Sequence, residues 1–273
     1  MRRVLGAVAA VMLGVACGGA TSSGGSTPTA MAAARAELAP SGQLRMGFPS
    51  GPPFLGNQDP SSGRWKGLAI TLGNALAKSL GVSLVPTQYP DAPSTYQALV
   101  AGKVDVVFAQ LAPPQQMPNG VNSTGAVVSV QHTFLVRADS SLQSVSQVDS
   151  QGIRVGSNAS DGHTGFLTSH LQHAHLIKMS SDDAGLAALS SGQIDAWADG
   201  RFALPDLATE LPGSRILDGS FFTPMFAFSM LQARSDAATY LNAFVQSELS
   251  SGAVKHDIDQ AVGKPGVLAG PAS

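Results

Sequence analysis

Apolar residues recur along this chain with two periods, and the two alternate. Leu68, Leu72, Leu76 and Leu80 stand four apart, which puts them on one face of a helix. Gly81 ends that helix, and Val82-Ser83-Leu84-Val85 reads as the strand after it. A second helix is expected over 94–101, and Leu44-Arg45-Met46-Gly47-Phe48 upstream reads as the opening strand. The same order begins again further on. Ile153-Arg154-Val155-Gly156-Ser157 is a strand, 161–172 a helix, His175-Leu176-Ile177-Lys178-Met179 a strand and 182–190 a helix. A nine-residue repeat marks the correspondence. Ala98-Leu99-Val100-Ala101-Gly102-Lys103-Val104-Asp105-Val106 matches Ala188-Leu189-Ser190-Ser191-Gly192-Gln193-Ile194-Asp195-Ala196. Each copy reads as a helix end, a Gly stop and a strand. Alternating strands and helices predict an α/β chain with parallel sheets covered on both faces. A tail helix is expected from Ala237 to Leu249, with Ala238, Leu241, Phe244, Val245 and Leu249 as its apolar positions.

The N-terminus has a different pattern. Met1-Arg2-Arg3 is basic, and Val4 to Ala16 is apolar and uncharged. That run is shorter than the roughly 20 residues needed to span a bilayer and fits an export signal. Cys17 follows it and is the only cysteine of the chain. Residues 1–17 are therefore expected to be a signal peptide ending at a lipidated Cys17, as in bacterial lipoproteins. Residues 18–38 are rich in Gly, Ser, Thr, Pro and Ala and are expected to form a flexible tether. The expected location is the periplasm or cell surface, with the chain anchored to the membrane.

Charge narrows the function classes. The formal net charge is −2, and loss of Arg2 and Arg3 with the signal makes it −4. Charged residues are only 12% of the chain, and no Lys/Arg cluster follows the signal, which argues against nucleic-acid binding. There is no Gly-rich phosphate loop and no Gly-x-Ser-x-Gly elbow. His170, His173 and His175 lie close together but read as surface histidines, so no metal and no cofactor is expected.

Several of these segments resemble the family 3 extracellular solute-binding proteins of polar amino-acid ABC importers. The resemblance runs over roughly 40–270. It rests on Leu44-Arg45-Met46-Gly47 with Pro52-Pro53-Phe54, on Gly63-Arg64-Trp65-Lys66-Gly67, and on Leu99-Val100-Ala101-Gly102-Lys103-Val104-Asp105. In the second half it rests on Arg154-Val155-Gly156-Ser157 and Gly192-Gln193-Ile194-Asp195-Ala196-Trp197-Ala198-Asp199. It implies a two-lobed periplasmic-binding-protein-like fold with two crossover strands. Lobe one would be 39–128 with 228–273, and lobe two 134–222. It also implies a monomer that binds a small polar solute between its lobes and delivers it to an ABC permease in the membrane. Carried over residue by residue, Phe54 stacks on the solute and Asp199 holds its amine. Gln110, Leu111 and Ala112 follow the first repeat's strand. Ser157, Asn158 and Ser160 lie where a strand gives way to a helix, and free N–H groups there favour an anion unless Asp161 takes the position as a cap.

The departures from the family pattern set the expected ligand. The arginine that usually clamps a ligand carboxylate is missing from Gln110-Leu111-Ala112-Pro113-Pro114-Gln115-Gln116-Met117. Ala69, Ile70 and Thr71 stand where the first helix usually carries an acid. The expected solute is thus cationic or rich in hydrogen-bonding groups. Two alternatives accompany this reading. One is a cyclohexadienyl-dehydratase-like enzyme with Asp199 as acid and His163 as its partner; the other is a sensory lipoprotein.

Overall fold

The computed structural model describes residues 28–52, 54–113 and 116–272. Cys17 and the signal segment lie outside the described residues, as does Gln115. The first half contains α1 (Pro28–Leu38), β1 (Gln43–Pro49), a small hairpin of β2 (Asn57–Gln58) and β3 (Trp65–Lys66), and α2 (Leu68–Ser79). These are followed by β4 (Ser83–Tyr89), α3 (Ala92–Val100), β5 (Val106–Gln110), β6 (Val121–Ser123) and β7 (Val128–Val130). The second half runs through β8 (His132–Val136), β9 (Arg154–Asn158), α4 (Gly162–His170), β10 (His175–Met179) and α5 (Asp182–Ser190). It ends with β11 (Ala196–Gly200), α6 (Leu204–Glu210) and β12 (Arg215–Ile216). The chain then returns through β13 (Met225–Leu231), α7 (Ser235–Ser250), α8 (Ala253–Ala261) and β14 (Val267–Ala269).

Two sheets result, one per lobe. The larger has the order β14-β7-β13-β5-β1-β4, with β6 beside β13; the smaller has the order β10-β9-β11-β8-β12. β1 pairs in parallel with β4 and β5, and β9 does so with β10 and β11. The strands that carry the chain between lobes enter the other way round. β13 is antiparallel to β5, and β8 is antiparallel to β11. The sheets are therefore mixed rather than wholly parallel, because a strand arriving from the other lobe comes in from the opposite end. Only Gln131 separates β7 of one sheet from β8 of the other. The returning segment is stitched to this crossing by His132 N–H to the Phe222 carbonyl and Phe221 N–H to the His132 carbonyl.

Alternation along the strands covers both faces of each sheet. On β5, Val106 and Phe108 join one apolar cluster while Val107 and Ala109 join another. On β11, Ala196 and Ala198 face one cluster and Trp197 the other. Trp197 is fully buried and needs glycine beneath it: a Cβ on Gly185 would fall 2.1 Å from its ring.

The repeat has a physical core. Arg45 at the start of β1 forks onto Asp105, with Nε and Nη2 donating at 2.8 and 2.7 Å. Arg154 at the start of β9 forks onto Asp195 at 2.9 and 2.7 Å. In each lobe the Asp main-chain N–H donates back to the Arg carbonyl, at 2.8 Å in both. The clamp ties the base of the first strand to the turn that enters the third.

One sequence expectation needs correction. The tether predicted over 18–38 does not extend through its second half, because residues 28–38 form α1. Ala34 and Leu38 are buried in the lobe-one core, and α1 packs along α7. The Glu37 carboxylate accepts the Ala237 N–H at 2.7 Å, which satisfies a free donor in the first turn of α7. Small residues suggested a linker, but this stretch is Ala-rich, and Ala is the strongest helix former.

Candidate functional site

The lobes enclose a cleft of about 920 Å³. Its lining comes from the segments that follow the strands, as expected for open α/β sheets. Lobe one supplies Phe54, Asp91 at the start of α3, Gln110 at the end of β5, and Phe226 of β13. Lobe two supplies Ser160, Asp161 and His163 around the start of α4, Asp182 at the start of α5, Asp199 near the end of β11, and Phe202 beyond it. Phe54 and Phe202 meet edge to face across the cleft, with centroids 4.8 Å apart.

Asp199 is the most constrained of these groups. It pairs in register with Thr133 of β8 and is only 8% exposed. Its Oδ1 accepts the Gly200 N–H at 2.6 Å, and among the described residues no cation forms an ion pair with it. The Trp197 indole N–H approaches it from the same strand but has no hydrogen bond of normal length. Burial pushes the Asp199 carboxyl up to about 7 against the Gly200 hydrogen bond, and nearby Asp182 and Asp161 add to the rise. Asp161 is raised by the same two causes, burial first and Asp182 second. It sits at the N-cap of α4 but makes no side-chain capping bond, so its carboxylate is free to face the cleft.

Two neutral imidazoles stand beside the acids. His163 is buried; its Nε2 lies 3.2 Å from the Ala198 carbonyl and 3.9 Å from Asp161 Oδ2. His132 lies across from it, with centroids 4.9 Å apart, and its Nδ1 is 3.2 Å from the Val130 carbonyl. Burial pulls His163 down to about 4. Burial, with His163 adjacent, pulls His132 down to about 3.

The lining therefore carries five carboxyl groups (Asp91, Asp161, Asp182, Asp199 and Asp206), with Lys264 as its one Lys or Arg. Lys264 is itself paired with Asp206. Asp91 already fills the start of α3, accepting the Ser94 N–H at 2.7 Å. The starts of α3, α4 and α5 that open on the cleft thus all carry aspartates, and no arginine is among the described residues that line it.

Of the residues read from the sequence, Phe54, Gln110, Ser160 and Asp199 come together in the lining. The others do not. Ser157 is fully buried, and its hydroxyl is spent on Thr164 Oγ1 at 2.5 Å. Asn158 braces the site from behind, donating to Asp182 Oδ1 at 3.0 Å and accepting from the Ser160 hydroxyl at 2.9 Å. Leu111 and Ala112 lie beyond β5, outside the lining, where the Leu111 N–H is held by the Met225 carbonyl. Arg201, two residues beyond Asp199, does not pair with it and donates to the Leu217 and Gly219 carbonyls at 2.8 and 2.6 Å. His170, His173 and His175 are exposed, as expected. Sequence reasoning missed Asp182, His132 and Phe222. The repeat held a signal for the first. Ala92 and Asp182 occupy equivalent positions, and Ser181 caps α5 where Asp91 caps α3, so the Asp182 carboxylate is left over.

The profile of the bacterial extracellular solute-binding proteins, family 3, matches residues 44–260. This chain belongs to that family. Members are transport binding proteins rather than enzymes; they take a small solute and serve an ABC transporter. The extracellular role fits a periplasmic or surface location, and among the described residues no helix is long and apolar enough to cross a membrane. No curated protein sequence matches the chain. Solved structures share the two-lobed fold. An ABC-transporter binding component from Wolinella succinogenes, complexed with lysine, is 17% identical with a TM-score of 0.65, covering 82% of this chain and 97% of its own. An amino acid ABC transporter substrate-binding protein from Streptococcus pneumoniae, bound to L-arginine, is 18% identical with a TM-score of 0.61, covering 83% and 97%. An ancestral amino acid-binding protein, described as a precursor of cyclohexadienyl dehydratase, is 18% identical with a TM-score of 0.62, covering 83% and 97%.

Proposed function

We propose that this binding protein captures a small cationic solute bearing an amine and no free carboxylate. The observation that carries the reading is Asp199, buried at the cleft floor without a cation of its own. A desolvated carboxylate is stabilised by a cation that reaches it. The rest of the lining supports the same sign of charge. Among its described residues nothing would hold a ligand carboxylate: no arginine is present, Lys264 is engaged, and the starts of α3, α4 and α5 all carry aspartates. Phe54, Phe202, Phe222 and Phe226 offer ring faces to the hydrocarbon or cationic parts of such a solute.

The same lack of cations weighs against the dehydratase reading, whose substrate carboxylates would each need one. In this reading the protein works as a monomer held to the outer face of the membrane by acylated Cys17, with the solute passed to an ABC permease. Phe54, Gln110 and Ser160 join Asp199 in holding the solute, and the lobes 39–128 with 228–273 and 134–222 close on it.

A thermal-shift screen of the tagless mature protein tests the proposal. A panel should include primary amines, diamines, guanidines, and the parent amino acids of each. Amines are expected to raise the melting temperature, and a ligand at a hundred times its Kd adds about 2.7 kcal/mol. Stabilisation by glutamate or aspartate in preference to amines would refute it.

A further inference from the structure

The floor of the cleft gathers more than a carboxylate. One ligand-type atom from each of Asp161, His163 and Asp199 lies within 4.8 Å of the other two. Donor atoms bonded at about 2.0–2.2 Å to one tetrahedral ion lie roughly 3.3–3.6 Å apart, so a contraction of about 1 Å would close the group around a metal. Two members, His163 and Asp199, are more than nine-tenths buried, and Asp199 points into the group without a paired cation. The outer contacts are those that metal sites use. The Val130 carbonyl orients the His132 ring, and Asn158 braces neighbouring Asp182.

We infer that Asp161, His163 and Asp199 form a binding site for one divalent transition-metal ion at the base of the cleft. His132 is the next nitrogen donor, one ring away, and the remaining coordination positions open toward the cleft. An imidazole with two carboxylates suits zinc, cobalt or nickel better than calcium or magnesium, which take oxygen ligands. Coordination replaces the long His163–Ala198 hydrogen bond or follows a flip of the ring. The inference goes beyond amine capture and stands whether or not an amine binds. The histidines grouped in the sequence, His170, His173 and His175, take no part in it.

The test uses the tagless mature protein after chelator treatment. Zn²⁺ is titrated by calorimetry, and Co²⁺ is followed by its visible absorption, which reports inner-sphere ligands. Expected is saturable binding of one ion per chain, with structured Co²⁺ bands. His163→Ala and Asp161→Asn should each weaken it by more than the ~10–100-fold typical of losing an outer-shell partner. Asp161 is partly exposed, so its variant keeps the test valid if His163→Ala fails to fold. A variant with His170, His173 and His175 all changed to Ala should bind as the wild type does. Absence of saturable binding overturns the site. So does binding that survives Asp161→Asn, or binding that disappears with the three surface histidines. Amine binding is measured separately: His163→Ala should abolish metal uptake and spare amines, so either reading can fail alone.

Discussion

Lobe one and lobe two are built on one plan and furnished differently. Both start with a strand whose arginine forks onto an aspartate further along the same lobe, 60 positions on from Arg45 to Asp105 and 41 from Arg154 to Asp195. Both send a helix into the same Gly turn. Yet the position four past each of those aspartates is Ala109 in lobe one and Asp199 in lobe two. Ala109 is fully buried in an apolar cluster, while Asp199 looks into the cleft with Asp161 and Asp182 nearby. The helix starts differ in the same direction. Asp91 spends its carboxylate on capping, whereas Asp182 stands behind a serine cap. The interior of the repeat fixes the fold, and the residues just beyond its strands fix the chemistry. In the cleft lining lobe one contributes Phe54, Phe226 and the Gln110 amide, and lobe two four of the five carboxyl groups.

The first way to break this comparison is to remove the charge. Asp199→Ala should weaken an amine ligand by a hundredfold or more, since loss of one partner of a buried charge pair costs about 3–5 kcal/mol. Asp199→Asn should do nearly as much harm, because it keeps the shape and loses the charge. Titration calorimetry on both decides it, and normal binding by Asp199→Asn would remove lobe two from the charged role.

The next compares the twin clamps. Asp105 is wholly buried and is approached by a second arginine, Arg234, whose Nη1 donates to the Asp105 carbonyl at 2.9 Å and whose Nη2 is 3.6 Å from its carboxylate. Asp195 has one arginine and 21% side-chain exposure. Asp105→Asn should therefore cost about 3–5 kcal/mol in urea unfolding. Asp195→Asn should cost about 1 kcal/mol, because water screens that pair. Equal losses would mean that the clamps differ in appearance only.

A pH slope in the unliganded protein probes the Asp199 carboxyl as well. The folded Asp199 carboxyl titrates near 7, above the ~3.9 of an unfolded aspartate. Between these values the folded state holds the extra proton. Its contribution to stability is thus complete below about pH 4 and is lost as pH rises through 7. Asp161, Asp182, His132 and His163 face the same space, and burial holds both histidines well below the ~6.5 of an unfolded histidine, so their contribution runs against that of Asp199: it is present above about pH 6.5 and lost on acidification. Asp195 too has the opposite sign to Asp199. The Arg154 hydrogen bond holds it below the usual carboxylate range, so its contribution is present above about pH 4 and lost on acidification. Chemical denaturation of both proteins, wild type and Asp199→Asn, at several pH values should show the difference in stability, wild type minus variant, falling as pH rises from about 4 to 7.

Much of this was legible in the sequence, and the failures are physical ones. The leucine spacing of α2 and the nine-residue repeat name their elements because local pattern and burial agree there. α8 was not anticipated, since Ala253–Ala261 is polar and buries only Val254 and Ile258. α1 was hidden by composition: alanine reads as linker until a partner such as α7 exists to bury it. In the site, Asp199 could be placed by counting from Asp195. The sequence offers Asp161 only as a possible cap and His163 only as the partner of Asp199 in the enzyme alternative, because their approach to Asp199 depends on the pairing of β9 with β11. Ser157 was misplaced because it falls on the inward side of a strand alternation, where its hydroxyl turns to Thr164.

The docking of α1 also bears on geometry outside the folded body. With residues 28–38 fastened to lobe one, only ten residues, 18–27, separate Cys17 from the fold. Ten residues span at most about 36 Å, half of what the whole of 18–38 could have reached. With Cys17 acylated as proposed above, a leash of this length would confine the binding protein to a shell scarcely deeper than itself above the bilayer. It would raise the local concentration seen by a permease in the same membrane and restrict the orientations in which the cleft can be offered to it.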